Sequence, residues 1–254
     1  MSSGHPLEPA PGGLVEPGPW HYGADYIGVY FKAERETLQA LLPKGLQVGD
    51  GTCLAYVCEI ISYSENGSHD ANQDPERTQY GEAAYGIGCS FKGNPGIYFP
   101  LMWVDKVWSL ARGWFNGYAK RYAEKVIMTK FHPLNPYMVS AREDSELSGY
   151  ASSGGEKVFS LRVKLLKRGE KADLVNFGAT YGLRRFPRTS EGQVQVNELV
   201  EVQKYNARTS DVWSGEGKVW FSGIEEMGEL NMVRGVMYRS GFSISGAKVL
   251  TTGD

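Results

Sequence analysis

The chain has 254 residues, 41% of them hydrophobic, which is enough for one substantial core. Its formal net charge is −2, with basic residues scattered among acidic ones, so no basic field suggests a nucleic-acid partner. No stretch approaches the roughly 18 apolar residues that a membrane-spanning helix needs.

Residues 1–19 contain several Pro and Gly and no periodicity, so an extended or mobile arm is expected before a single domain over 20–254. They carry neither the apolar stretch of a secretory signal nor the Arg-rich character of a transit peptide. Tyr26–Phe31 reads as a strand. Leu38, Leu41 and Leu42 follow at helical spacing, and Pro43 ends that helix. Cys53–Tyr63 reads as a strand and Ser64–Thr78 as a polar loop. Ala84–Phe91 and Ile97–Val104 read as a hairpin across Lys92-Gly93-Asn94-Pro95-Gly96. Val107, Leu110, Ala111 and Trp114 predict a helix that Gly117 terminates. Further strands are expected at Lys125–Phe131, Lys157–Lys167, Val196–Tyr205, Lys218–Phe221 and Val236–Leu250. About nine strands against two or three helices predict a mainly β domain, built as a closed barrel or from strongly curved sheets.

Several chemistries lack their residues. His5, His21, His69 and His132 show no HxxH or HExxH spacing, so no metal site is expected. There is no GxGxxG, P-loop or GxSxG, so no phosphate-cradled cofactor and no hydrolase elbow is expected. Cys53, Cys58 and Cys89 give an odd count without CxxC, which suits buried thiols and a cytoplasmic location.

The chemistry concentrates at Lys120-Arg121. Taken alone, a basic pair is usually a solvated surface. Here Trp108, Trp114, Phe115, Tyr118 and Tyr122 flank it. A lysine among aromatics, beside a second cation, has two reasons to lose its proton. A free lysine, with a pKa near 10.4, presents its nucleophilic amine in about one molecule in 2,500 at pH 7. A cation roughly 5 Å away at an effective dielectric of about 20 costs about 3 kcal/mol, some two pKa units. Desolvation adds roughly one to three more.

The segment Arg112-Gly113-Trp114-Phe115-Asn116-Gly117-Tyr118-Ala119-Lys120-Arg121 resembles the active-site segment of the acetoacetate decarboxylase-like superfamily. Other stretches resemble family landmarks in the same order. They are Pro19-Trp20-His21-Tyr22, Leu42-Pro43-x-Gly45-Leu46, Gln79-Tyr80-x-Glu82, Tyr98 with Val104-Asp105, Leu183-Arg184-Arg185-Phe186-Pro187, and Ser210-Asp211-x-Trp213-x-Gly215. The resemblance implies that Lys120 is the Schiff-base lysine and that Arg121 stands where a second lysine perturbs it. In acetoacetate decarboxylase an adjacent cation is the established means of activating the lysine. Ala119 replaces the family's proline, and Ala24 stands where acetoacetate-cleaving members carry an arginine. The same resemblance assigns Glu82 to the catalytic glutamate and makes Tyr80, Asn116 and Tyr238 substrate-contact candidates. The implied function is a lyase acting on a short oxo acid, by decarboxylation of a β-keto acid through a Lys120 imine. Two alternatives stand beside it: a pyruvate aldolase-dehydratase using an aldehyde co-substrate, and a non-catalytic binding barrel. No cofactor is implied, and a homo-oligomer is.

Overall fold

The computed structural model describes residues 8–68, 72–188 and 194–253, so His5 and His69 lie outside the described residues. The strands are β1 (Trp20–Lys32), β2 (Leu46–Ser64), β3 (Gln79–Phe91), β4 (Asn94–Val104), β5 (Lys120–Tyr122) and β6 (Lys125–Met128). They continue with β7 (Glu146–Ser153), β8 (Glu156–Arg168), β9 (Ala179–Pro187), β10 (Val194–Phe221) and β11 (Asn231–Thr252). Three short helices, α1 (Arg35–Ala40), α2 (Pro75–Thr78) and α3 (Val107–Phe115), interrupt them.

All eleven strands join one sheet. Its order runs β11-β1-β2-β3-β4-β9-β10, and β10 pairs back onto β11, so seven strands close a ring. Strands β8, β7 and β6 continue from β10, while β5 adds to β4 in parallel. The mainly β, strongly curved architecture expected from the sequence is the one observed. Among the described residues no helix is long and apolar enough to cross a membrane.

The wall β1–β4 is buried on both faces, which is why β3 shows an unbroken buried run where a half-exposed strand would alternate. One face carries Val57, Ala83, Tyr85 and Trp103 into the main core with Phe159 and Phe221. The opposite face carries Tyr26, Tyr56, Tyr80, Ala84 and Met102 into a second, aromatic cluster. The register slips between β3 and β4 at Tyr85/Ile87, so Phe99 and Met102, three residues apart, join this same cluster.

Three expectations need correction. The segments 196–205 and 218–221 are parts of one strand, β10. Register shifts at Tyr205/Arg208 and Ser210/Trp213 absorb the polar stretch between them, with Asn206 and Asp211 at positive φ (54° and 50°), and pairing with β11 continues. The expected loop 64–78 ends in α2, where Pro75 occupies the first turn. Strands β7 and β9 went unread because ELSGYASS and ATYGLRRFP break the apolar pattern with Gly, Ser and Arg. Residues 8–19 form no helix or strand, yet Val15 is buried against Trp20, Ala111, Val202 and Ile244.

Candidate active site

Helix α3 supplies one wall of the site. Ser109, Arg112, Gly113 and Asn116 recur at i, i+3, i+4 and i+7 and form a single stripe, all buried. The helix stops at Gly117, whose φ of +81° is left-handed, and the amides of Gly117 and Tyr118 bond back to the Trp114 and Gly113 carbonyls. Arg184, within the Leu183–Pro187 landmark, fixes this end: its Nε donates to the Phe115 carbonyl at 2.6 Å, and its guanidinium pairs with Glu198. The chain then turns into β5, where Lys120 pairs with Met102 of β4. The Trp114 indole donates to the Lys120 carbonyl at 3.0 Å, tying the helix to this short strand.

Strand alternation explains why Lys120 meets Glu82. In register, Lys120 lies beside Met102 and Met102 beside Ala84, two residues from Glu82 and on the same face. The Glu82 Oε2 atom is 2.8 Å from Lys120 Nζ, and both side chains are nearly fully buried (7% and 6% exposed). The Tyr56 hydroxyl donates to Glu82 Oε1 at 2.7 Å, and Lys120 Nζ donates to Ser109 Oγ at 3.1 Å. The amine also faces the rings of Tyr80 and Tyr118 at 5.2 and 5.9 Å.

The same alternation separates Lys120 from Arg121. Adjacent strand residues point to opposite faces, and Arg121 is exposed on the side of Tyr85, whose hydroxyl feels its charge. The cation that acts on Lys120 is Arg112. The neighbour in space therefore comes from α3, eight residues earlier in the sequence, and not from the next position in the chain. Burial lowers the Lys120 amine below its ordinary value. Glu82 opposes this through charge and hydrogen bond, and Arg112 adds to the lowering.

Arg112 was not among the site residues expected from sequence. It is buried, donates to Ser62 Oγ at 3.1 Å, and lies among the rings of Trp108 (4.9 Å), Tyr22 (5.1 Å), Tyr80 (5.8 Å) and Trp20 (5.9 Å). It forms no ion pair with a described carboxylate. Its place on the Ser109–Asn116 helical stripe was the available signal. Asn116 donates its Nδ2 to the Arg112 carbonyl at 3.0 Å, and no described group donates to its Oδ1. Tyr238 stacks on Tyr26 with centroids 4.9 Å apart and planes 5° from parallel.

One cavity of about 330 Å³ is lined by Lys120, Glu82, Tyr80, Arg112, Asn116 and Tyr238 together, and Arg121 is not part of it. Burial raises the hydroxyls of Tyr56, Tyr80, Tyr118 and Tyr238 well above the ordinary tyrosine value, so each stays a proton-bearing donor. A more open depression of about 950 Å³, lined by Asp105, Lys130 and Arg239, shares Tyr80 but contains neither Lys120 nor Glu82. Among the described residues no three His, Cys, Asp or Glu side chains gather as a metal site.

Gly113 is required by close approach. A Cβ at this position would lie 2.3 Å from Lys120 Cδ and 2.8 Å from Cε. Gly113→Ala is expected to push the lysine stem out of place and lower kcat/KM about a hundredfold. The melting temperature should fall as well, because displacing the stem of a buried, ion-paired lysine outweighs the roughly 0.5–1 kcal/mol that alanine gains over glycine in a helix interior. Full activity in this variant would refute the placement.

The model of the acetoacetate decarboxylase family matches residues 4–252. The chain superposes on an acetoacetate decarboxylase-like enzyme from Sphingomonas wittichii RW1 with TM-score 0.92 and 35% identity over 100% of each chain. It superposes on the enduracididine biosynthesis enzyme MppR, complexed with the condensation product of pyruvate and imidazole 4-carboxaldehyde, with TM-score 0.84. There the identity is 21%, over 94% of this chain and 92% of that one. The acetoacetate decarboxylase of Legionella pneumophila gives TM-score 0.76 at 15% identity over 99% and 98%. Comparison with curated protein sequences finds no match.

Proposed function

Because the chain belongs to the acetoacetate decarboxylase family, we propose that it is a lyase forming a Schiff base between Lys120 and a short oxo acid. The observation that carries this reading is a buried lysine paired with Glu82 in a cavity whose other wall holds Arg112, a cation without a carboxylate partner among the described residues. A substrate carboxylate supplies that partner, and its docking at Arg112 presents the keto carbon to Lys120.

Glu82, hydrogen-bonded by Tyr56, accepts a proton from the ammonium and frees the amine. The amine attacks the keto carbon, and the C=O pair moves to oxygen, which takes the proton that Glu82 had accepted. The nitrogen gives one of its two protons to Glu82, which passes it to the hydroxyl, and water leaves as the nitrogen lone pair forms the C=N bond of a positively charged iminium. In a β-keto acid the C–CO₂ bond breaks next, and its electron pair flows to the iminium nitrogen as CO₂ departs. The resulting enamine takes a proton on carbon, and water returns to release the ketone and the amine.

A second reading is aldol condensation followed by dehydration, in which pyruvate loses a methyl proton to give the enamine and the enamine attacks an aldehyde. Ala24 favours it, since the arginine of acetoacetate-cleaving members is missing there. So does the cavity, which leaves space for a second reactant beside a small acid. MppR, complexed with a pyruvate–aldehyde condensation product, shows that this fold accommodates such a product. Assaying 3-oxo acids for CO₂ release and pyruvate with aldehydes for condensation decides between them. Lys120-dependent turnover in either arm supports the lyase. Binding without turnover across the panel leaves only a binding barrel.

The pH profile has a definite sign. The reactive species is the free amine, so imine formation rises with pH through the Lys120 pKa and then levels. The midpoint should lie below the ordinary 10.5, because burial and Arg112 lower it. Glu82 holds the value up, so Glu82→Gln should move the midpoint lower still while slowing the proton-transfer steps. Stopped-flow measurement of imine formation checks this, and an upward shift in Glu82→Gln would contradict it.

A further inference from the structure

We propose that the cavity has a second anion-binding pole at Lys204, and that the substrate is therefore a short oxo acid bearing two carboxylates, one for Arg112 and one for Lys204. The inference rests on the Schiff-base reading and narrows its substrate class.

Lys204 lies on β10, where Val200 and Val202 bury the face that, at a spacing of two, Lys204 continues. It borders the same cavity as Lys120 and stands over the Phe242 ring at 5.0 Å. Lys204 is exposed to solvent; the protein around it lowers its amine to about 8, with Glu82 opposing that fall. At neutral pH it is still mainly cationic. No described carboxylate pairs with it.

Charge balance points the same way. The charged residues lining the cavity are Glu82, Arg112, Lys120 and Lys204. Glu82 offsets Lys120, with which it pairs, and offsets the iminium equally once that forms. Arg112, which is buried, and Lys204, which is exposed, then remain as two cations on the cavity lining without a described carboxylate partner. A monoanion that pairs with the buried Arg112 leaves Lys204 to solvent, whereas a dianion gains a second charge-assisted contact there. The two poles sit on different elements, α3 and β10, so a ligand that satisfies both must span the cavity. A dicarboxylic oxo acid carries its keto carbon between two such ends.

The test compares wild type with Lys204→Gln in borohydride trapping at Lys120, using oxaloacetate and 2-oxoglutarate against pyruvate. Wild type should be half-trapped by the better dicarboxylate at a concentration at least about tenfold below that for pyruvate. Lys204→Gln should lose that preference and leave pyruvate trapping unchanged, which also shows that the variant is folded. Equal loss for both acids, or no preference in wild type, overturns the inference. If no acid is trapped, the Schiff-base reading fails. Calorimetric titration then decides the second pole alone: succinate should bind wild type at least about tenfold more tightly than butyrate, and Lys204→Gln should remove the difference. Equal binding of the two overturns it.

Discussion

Lys120→Ala is expected to reduce turnover at least about 10³-fold, because the nucleophile itself is removed. Its stability should fall too. The lysine and Glu82 are both nearly fully buried and 2.8 Å apart, so deleting one strands the other charge, a loss of about 3–5 kcal/mol. Two further variants separate chemistry from folding. Lys120→Ala with Glu82→Gln removes both charges and should recover part of the stability with no recovery of turnover. Lys120→Arg keeps a cation facing Glu82 but offers no amine, and it should be equally inactive. Thermal denaturation beside steady-state kinetics reads both effects. Substantial turnover in any of the three would mean that another group carries the reaction.

Arg112→Met should separate binding from folding in the opposite way. The guanidinium is buried among four aromatic rings with one hydrogen bond, to Ser62, and an unbranched apolar side chain fills similar space. Replacing a buried charge by a packed apolar group is often neutral or stabilising, so the melting temperature should hold. KM should rise about 10- to 100-fold, since a charge-assisted contact with the substrate carboxylate is lost. The ascending limb of the pH profile should also move upward, because the cation that helps lower the Lys120 pKa is gone. Arg121→Met, changing an exposed residue on the opposite face, should do neither. If Arg121→Met moves the profile and Arg112→Met does not, the structural assignment of the activating cation is wrong.

The contrast between those two arginines shows what could be read from sequence and what could not. The aromatic setting of Lys120, the helix before it and the hairpin from Ala84 to Val104 follow from periodicity and local composition, while Glu82, just before that hairpin, is marked only by the family resemblance. The partner cation does not, because adjacency in sequence suggests proximity while adjacency in a strand enforces opposite faces. Lys120 lies in a three-residue strand too short to leave a period-two signature. Burial of the β1–β4 wall on both faces also erases the alternation that would have shown which residues share a face with Glu82. Lys204 was hidden for a related reason. Its strand is 28 residues long, is interrupted by several register shifts and has a polar middle, so only its two ends carry a strand pattern. Only the ring closure between β10 and β11 brings that side chain over the cavity.

The central claim is that a covalent imine forms at one buried amine. Incubating the protein with pyruvate or acetoacetate, reducing with borohydride and mapping the adduct by tandem mass spectrometry tests it directly. The account predicts a single adduct on the peptide containing Lys120, absent in Lys120→Ala. An adduct that persists in that variant, or no adduct with either acid while both bind, would contradict it.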